Sequence, residues 1–205
     1  MIDVLVSIDK SMFRTLNQSV QNSLFDIVMP FLTNLDQQRP WIYLFVGMIW
    51  IGLVWKGGRQ GRIVAFLLVP LIVLSDQLSS HLVKPLIGRA RPCHITDGLP
   101  QVEYLRLLVD CGPGRSFPSS HAVNSFAAAG LFSYYYQKWF WAFLSFASVV
   151  AYSRVYVGVH YPFDALAGAA IGSGCAAVVI LGWRKLEGWM QTRQEPRETE
   201  SDRLD

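Results

Sequence analysis

Arg154, His160 and Asp164 fall within one short stretch, the histidine six residues after the arginine and the aspartate four beyond it. A carboxylate bonded to one ring nitrogen fixes a histidine's tautomer and leaves the other nitrogen as a nucleophile or base. The pair alone reads equally well as a satisfied histidine beside a helix start. Arg154 tips the balance, because a guanidinium fork grips phosphate oxygens two at a time. Two earlier stretches answer this one. Lys84 to Pro92 supplies Lys84 and Arg91 as further cations, while Arg89 suits a side chain snorkelling toward lipid headgroups equally well. Pro118-Ser119-Ser120-His121 opens a helix. Its free N–H groups and positive dipole end can hold an anion, beyond the ordinary serine N-cap that the motif would signify alone. Fixed cations, two histidines, an orienting carboxylate and helix-start serines together form an inventory for holding a phosphate and moving it.

Metal chemistry is the competing use of histidines and carboxylates. No two histidines here have the tight helical spacing of zinc hydrolases, and the neighbouring lysine and arginines would repel a divalent cation. The reading is therefore a metal-independent reaction without a cofactor. His81 and His94 read as structural, and Asp76 as bonding within the bundle or helping to place Lys84. Cys93 and Cys111 share one loop. They form a disulfide if that loop faces an oxidising compartment and stay free thiols otherwise. Cys175, in an apolar run, reads as a small hydrophobe.

The elements that must position these residues are membrane helices. Of 205 residues, 52% are hydrophobic and only 16% charged, below the quarter usual in a soluble domain. A net charge of +3 is too small and scattered for a nucleic-acid partner. The fold class is all-α, a polytopic membrane bundle of about five or six spans with N-terminal amphipathic helices. Apolar runs at 40–55, 63–83, 120–136, 139–156 and 163–183 give the spans, and residues 2–16 and 20–35 the amphipathic helices. The first of these carries no basic n-region or cleavage site of a signal peptide. The expected division is 1–38 interfacial, 39–187 catalytic and 188–205 a frayed, disordered polar tail. Basic residues at Lys56/Arg59/Arg62, Lys138 and Arg184/Lys185 mark the cytoplasmic ends. All three chemistry-bearing stretches then lie at the opposite, outer face of an inner membrane, and the C-terminus lies inside.

These stretches resemble the motifs of the type 2 phosphatidic acid phosphatase (PAP2) superfamily. Lys84 through Arg91-Pro92 is similar to its first motif, Pro118 through His121 to its second, and Ser153-Arg154 through His160 and Asp164 to its third. Ser120 stands where the family commonly has glycine. The resemblance implies that His160 attacks phosphorus to form a phosphohistidine, Asp164 orients it, and His121 protonates the leaving oxygen. Lys84, Arg91, Ser119, Arg154 and the backbone at Ser120 would bind the phosphoryl oxygens. It further implies a membrane lipid phosphate as substrate. Undecaprenyl pyrophosphate comes first, with phosphatidylglycerophosphate, phosphatidic acid and lipid A phosphates as alternatives. A lipid phosphotransferase would carry the same site. A non-catalytic lipid-phosphate binder or transporter would need the cations but no oriented nucleophile.

Overall fold

The computed structural model describes residues 2–34, 40–96 and 99–201. Leu35, Arg39, Gly98 and residues 202–205, which figured in the expected element ends and tail, lie outside that set. Eight α-helices are described: α1 (Ile2–Arg14), α2 (Ser23–Thr33), α3 (Pro40–Lys56), α4 (Gly58–Gln77), α5 (Lys84–Ile87), α6 (Ser120–Tyr135), α7 (Phe140–Tyr156) and α8 (Pro162–Ser201). A two-residue antiparallel ladder within the long loop, Ile95–Thr96 with Leu99–Pro100, is the extended structure among them.

The apolar runs fold as helices because a bilayer offers the backbone no other hydrogen-bond partner. Two described helical stretches, 58–87 and 162–193, are long and apolar enough to cross a membrane. On α3, Trp41, Phe45 and Met48 are exposed and no protein covers them, as expected of a lipid-facing surface. α3 turns into α4 through Gly57, Gly58 and Gly61. A Cβ at either Gly57 or Gly61 would stand 2.4 Å from the Leu53 carbonyl oxygen, so glycine permits the close approach.

α6 and α8 form the centre of the bundle. A Cβ at Gly172 would lie 2.1 Å from Val123 O and one at Gly168 2.7 Å from Ser119 O, so these glycines let the two backbones touch. Gly174, two residues on, looks into open space. Val64, Leu67, Leu71, Ala127, Leu131 and Ile180 pack α4 against this pair.

The bundle has two chemically distinct ends. At one, Arg59 pairs with Glu187 at 2.7 Å, joining the α3–α4 turn to the far part of α8. The three motifs gather at the other. α8 runs 40 residues, and the polar part expected from 188 onward as a frayed, disordered tail is helix to Ser201. Within it, Arg193 stacks over Trp189 at 3.9 Å.

The two N-terminal helices pack at the motif end. α2 has 11 residues, about 16 Å at 1.5 Å per residue, too short to cross an apolar layer of about 30 Å. It lies on the end of α7 as a bracket. α1 and the π-helical turn that follows it, Thr15–Ser19, are two-faced: Asp9, Phe13 and Asn17 are buried at four-residue spacing, while Leu5, Ile8 and Met12 are exposed.

Candidate active site

His160 and Asp164 sit where α7 gives way to α8. The end of α7 wraps back on itself, with Val159 N–H and His160 N–H both donating to the Arg154 carbonyl. Gly158 takes φ +91, and a Cβ there would lie 2.6 Å from Arg106 O, so only glycine fits the turn. Pro162 then opens α8 and places Asp164 in its first turn, where the helix dipole favours a carboxylate.

Asp164 is fully buried and bonded at both oxygens. Oδ1 accepts from Arg89 Nη1 at 2.8 Å. Oδ2 accepts from Tyr161 N–H at 2.8 Å and from the Ser116 hydroxyl, and faces His160 Nδ1 at 3.5 Å. Ser116 Oγ lies 3.4 Å from the same ring nitrogen. The carboxylate thus favours the proton on Nδ1 and leaves the Nε2 lone pair for chemistry. Burial pushes the His160 pKa down to about 4, outweighing the opposite pull of Asp164, and Arg154 and Arg91 push the same way. The ring is neutral at physiological pH, as a nucleophile must be.

Arg154 is buried and held from α2, its Nη1 donating to Thr33 O at 3.0 Å and to Thr33 Oγ1 at 2.7 Å. Arg91 donates from Nη1 to Cys111 O at 2.5 Å. Burial lowers its pKa below the ordinary arginine value, with Asp164 opposing. Cys111 is joined to Cys93 by a disulfide. Lys84 is half-buried and lies in the electrostatic field of Arg91, Asp76, Arg154 and Asp164. It directly follows a π-helical segment, 78–83, that interrupts the regular turns below it. Such bulges often serve to re-aim a functional side chain.

Ser119 is the N-cap of α6 and its main-chain N–H donates to Asp164 O at 3.0 Å. Its hydroxyl is buried without a hydrogen-bond partner, as is Arg91 Nε. Ser120 points its hydroxyl at the π-helical segment 78–83, 3.1 Å from Ser79 Oγ and 3.4 Å from Ser80 Oγ. What it can offer an anion is its backbone N–H, one of those a helix start leaves unbonded. His121 follows, half-buried, one residue into α6. Asp76 accepts from Ser80 Oγ at 3.4 Å, so it does bond within the bundle. His94 meets Gly112 O at 3.4 Å in the loop, and His81 is exposed. No group of three or more His, Cys, Asp or Glu side chains that could hold a metal gathers among the described residues.

A sequence profile of the PAP2 superfamily matches residues 64–187, more than half the chain. The chain belongs to the PAP2 superfamily. Relatives include the lipid A 4′-phosphatase of Bacteroides thetaiotaomicron, 31% identical over 84% of this chain and 75% of that one. The undecaprenyl-diphosphatase of Sulfolobus acidocaldarius is 25% identical over 82% of this chain and 75% of that one. Among solved structures, LpxE of Aquifex aeolicus superposes with a TM-score of 0.65 and 22% identity, covering 83% of this chain and 93% of that one. At that identity the match speaks for the fold. Family and relatives together make this PAP2 protein a membrane phosphatase of lipid metabolism, a phosphoric ester hydrolase.

Three residues of this centre were not legible as site residues. Arg89, as apt to snorkel as to bind, is bonded inside the protein to two carboxylates, Asp164 and Asp9. Ser116 carries no motif, and reaches the site because its N–H pairs with Arg89 O at 2.8 Å across the loop. Thr33 lies 121 positions from the arginine it holds. Asp9, which Arg89 joins to the site, shows in sequence as an acid between the apolar residues of an amphipathic helix.

Proposed function

We propose that this protein hydrolyses a membrane lipid phosphate through a phosphohistidine at His160. The observation that carries the reading is the pair of buried atoms, Ser119 Oγ and Arg91 Nε, that lack partners beside an oriented, neutral imidazole. Buried polar atoms are ordinarily bonded, and phosphoryl oxygens would satisfy both. With Lys84, Arg154 and the Ser120 N–H they form a preorganised cradle for the charge of the transition state. His160 Nε2 attacks phosphorus, and the bond from phosphorus to the lipid oxygen breaks as that oxygen takes a proton from His121. Water then attacks phosphorus, the N–P bond breaks, and the water's proton passes to His121. Neither step draws on a metal or cofactor.

In this reading α3, α4 with α5, α6, α7 and α8 are five spans. The motif end faces the periplasm or outside, the basic end and C-terminus the cytoplasm. The Cys93–Cys111 bridge suits that outer face. For the substrate, the 31% identical relative named a lipid A 4′-phosphatase moves a glycolipid phosphate ahead of the undecaprenyl pyrophosphate favoured by sequence alone.

The test is phosphate release by purified protein in detergent with excess chelator. Lipid A, undecaprenyl pyrophosphate, phosphatidylglycerophosphate and phosphatidic acid are offered in parallel, with His160→Ala as control. Release that survives chelator and vanishes in the variant is expected, with lipid A the best substrate. A requirement for divalent metal, or activity retained without His160, would sink the mechanism.

A further inference from the structure

We propose that Asp9, on the amphipathic helix α1, is a positioning residue for the Asp164–His160 pair and acts through Arg89. The proposal rests on the phosphatase reading above. Asp9 lies outside the span of the PAP2 profile match and no motif contains it. Its side chain is 1% exposed. A buried carboxylate is costly unless it is bonded, and this one is bonded to the catalytic end of the fold. Oδ1 accepts from the N–H of Phe163 at 2.9 Å, in the first turn of α8. Oδ2 forms an ion pair with Arg89 Nη2 at 2.6 Å, off hydrogen-bond alignment, so the contact is one of charge. The other terminal nitrogen of the same guanidinium, Nη1, reaches Asp164 Oδ1 at 2.8 Å. One arginine fork therefore ties a carboxylate of α1 to the carboxylate that faces His160. Aromatic packing fixes the fork's plane. Arg89 lies 3.9 Å over the Tyr161 ring, and Phe13, one helical turn after Asp9, meets Tyr161 edge-on at 5.4 Å.

Two consequences follow. The first is geometric: Tyr161 N–H and Ser116 hold Oδ2 of Asp164, Arg89 holds Oδ1, and Arg89 is held on its far side by Asp9. The second is electrostatic. Asp9, Arg89 and Asp164 together carry one net negative charge, and His160 becomes cationic as it is phosphorylated. Without Asp9 the cluster is neutral, and Arg89 draws on Asp164 alone, so less of that carboxylate's charge is left to face the cation. The charged groups bearing on His160 are Asp164, Arg154 and Arg91, and those on Asp9 are Arg89 and Asp164. Burial raises the Asp9 pKa, while Arg89 and the Phe163 N–H counter it. Docking of α1 has other anchors: Phe13 is fully buried, and the Asn17 amide donates to Arg106 O and Tyr156 O, each at 2.8 Å.

Asp9→Asn is the discriminating variant, because it can keep the acceptor for Phe163 N–H while removing the charge that holds Arg89. On the best lipid of the panel, kcat should fall about tenfold and KM should stay within about twofold, beside the loss of stability that follows when a buried ion pair loses one charge. Placed in an Asp164→Asn background, the same change should cost nothing more, since residues acting as one unit are non-additive. Arg89→Lys, which keeps the charge but cannot span both carboxylates, should show the same kcat-only loss and the same non-additivity with Asp9→Asn. Asp3→Asn, exposed on the same helix, is the control and should change nothing. An unimpaired Asp9→Asn overturns the proposal, as does an equal loss whether or not Asp164 is present. Should Asp9→Asn not fold, an Arg89→Lys variant with full kcat overturns it too. A wild-type protein that releases phosphate from no lipid sinks the phosphatase reading, and this proposal with it. An active wild type with an indifferent Asp9 sinks the proposal alone.

Discussion

The two halves of the site differ in how far the protein satisfies its own polar groups. Around Asp164, each carboxylate oxygen is bonded, to Arg89 on one side and to Tyr161 N–H and Ser116 on the other. On the phosphate side, Ser119 Oγ and Arg91 Nε are as deeply buried and have no partner. The first half is complete without a ligand and contributes to stability. The second keeps two donors without a protein partner, which leaves them for phosphoryl oxygens in the proposed mechanism. In the proposed mechanism the difference separates residues that orient the nucleophile from residues that hold the transferred phosphoryl group, and mutations should respect it.

The largest effect should come from breaking the satisfied half. Asp164→Asn removes the charge opposite Arg89 and the acceptor that fixes the imidazole tautomer. We expect kcat to fall by about 10⁴, as when the aspartate of a serine-protease triad is lost, and stability to fall by about 3 kcal/mol as a buried ion pair loses one partner. Single-turnover phosphate release and chemical denaturation in detergent measure the two. The open half should respond in the opposite sense. Ser119→Ala should lower kcat/KM about tenfold to a hundredfold for want of one donor to the phosphoryl oxygens. It should also raise stability by about 1 kcal/mol, because an unpartnered buried hydroxyl is gone. A Ser119→Ala protein that is both less active and less stable would erase the distinction.

Acid titration sharpens it further. His160 titrates at about 4 in the fold, against about 6.5 in an unfolded chain. Between those values the unfolded chain binds a proton that the native one does not. The contribution is therefore intact above pH 6.5 and is lost as pH falls toward 4. In kcat/KM the same group should give an acid limb near pH 4 in place of one near 6.5. A limb at 6.5 on a substrate whose own phosphate does not titrate there would mean that the ring is solvated and the orienting half looser than described.

Much of this was legible in the sequence, and the boundary of legibility follows the same division. His160 and Asp164 are four residues apart, and Ser119 and Ser120 begin a helix, so local geometry alone brings their functional groups to one place. The helices were legible because an apolar run has one stable backbone form in lipid. The residues that hold the site are not local. Asp9 reaches Phe163 across 154 positions, Thr33 reaches Arg154 across 121, and Ser116 reaches Asp164 across 48. Nothing in a neighbouring residue announces such contacts, since they are properties of the packed bundle. The length of α8 was missed for another reason. A polar run past Trp183 offers no apolar period to read, yet it continues as helix to Ser201.

The smallest effect, and the one that joins the two halves, concerns the loop. Arg91 belongs to the open half, but its Nη1 is held by the carbonyl of Cys111, and Cys111 is held by Cys93 across 18 positions. The bridge should therefore act on affinity more than on chemistry. Replacing both cysteines by serine should cost up to about 3 kcal/mol of stability by loop-closure entropy. It should raise KM a few-fold at nearly constant kcat, because His160 and Asp164 lie on the α7–α8 turn and do not depend on the loop's closure. A fall in kcat with KM unchanged would mean that the loop supports Ser116, and with it the orienting half, more than it supports Arg91. Steady-state kinetics of the double-serine protein, with oxidised and reduced wild type alongside, separates these outcomes.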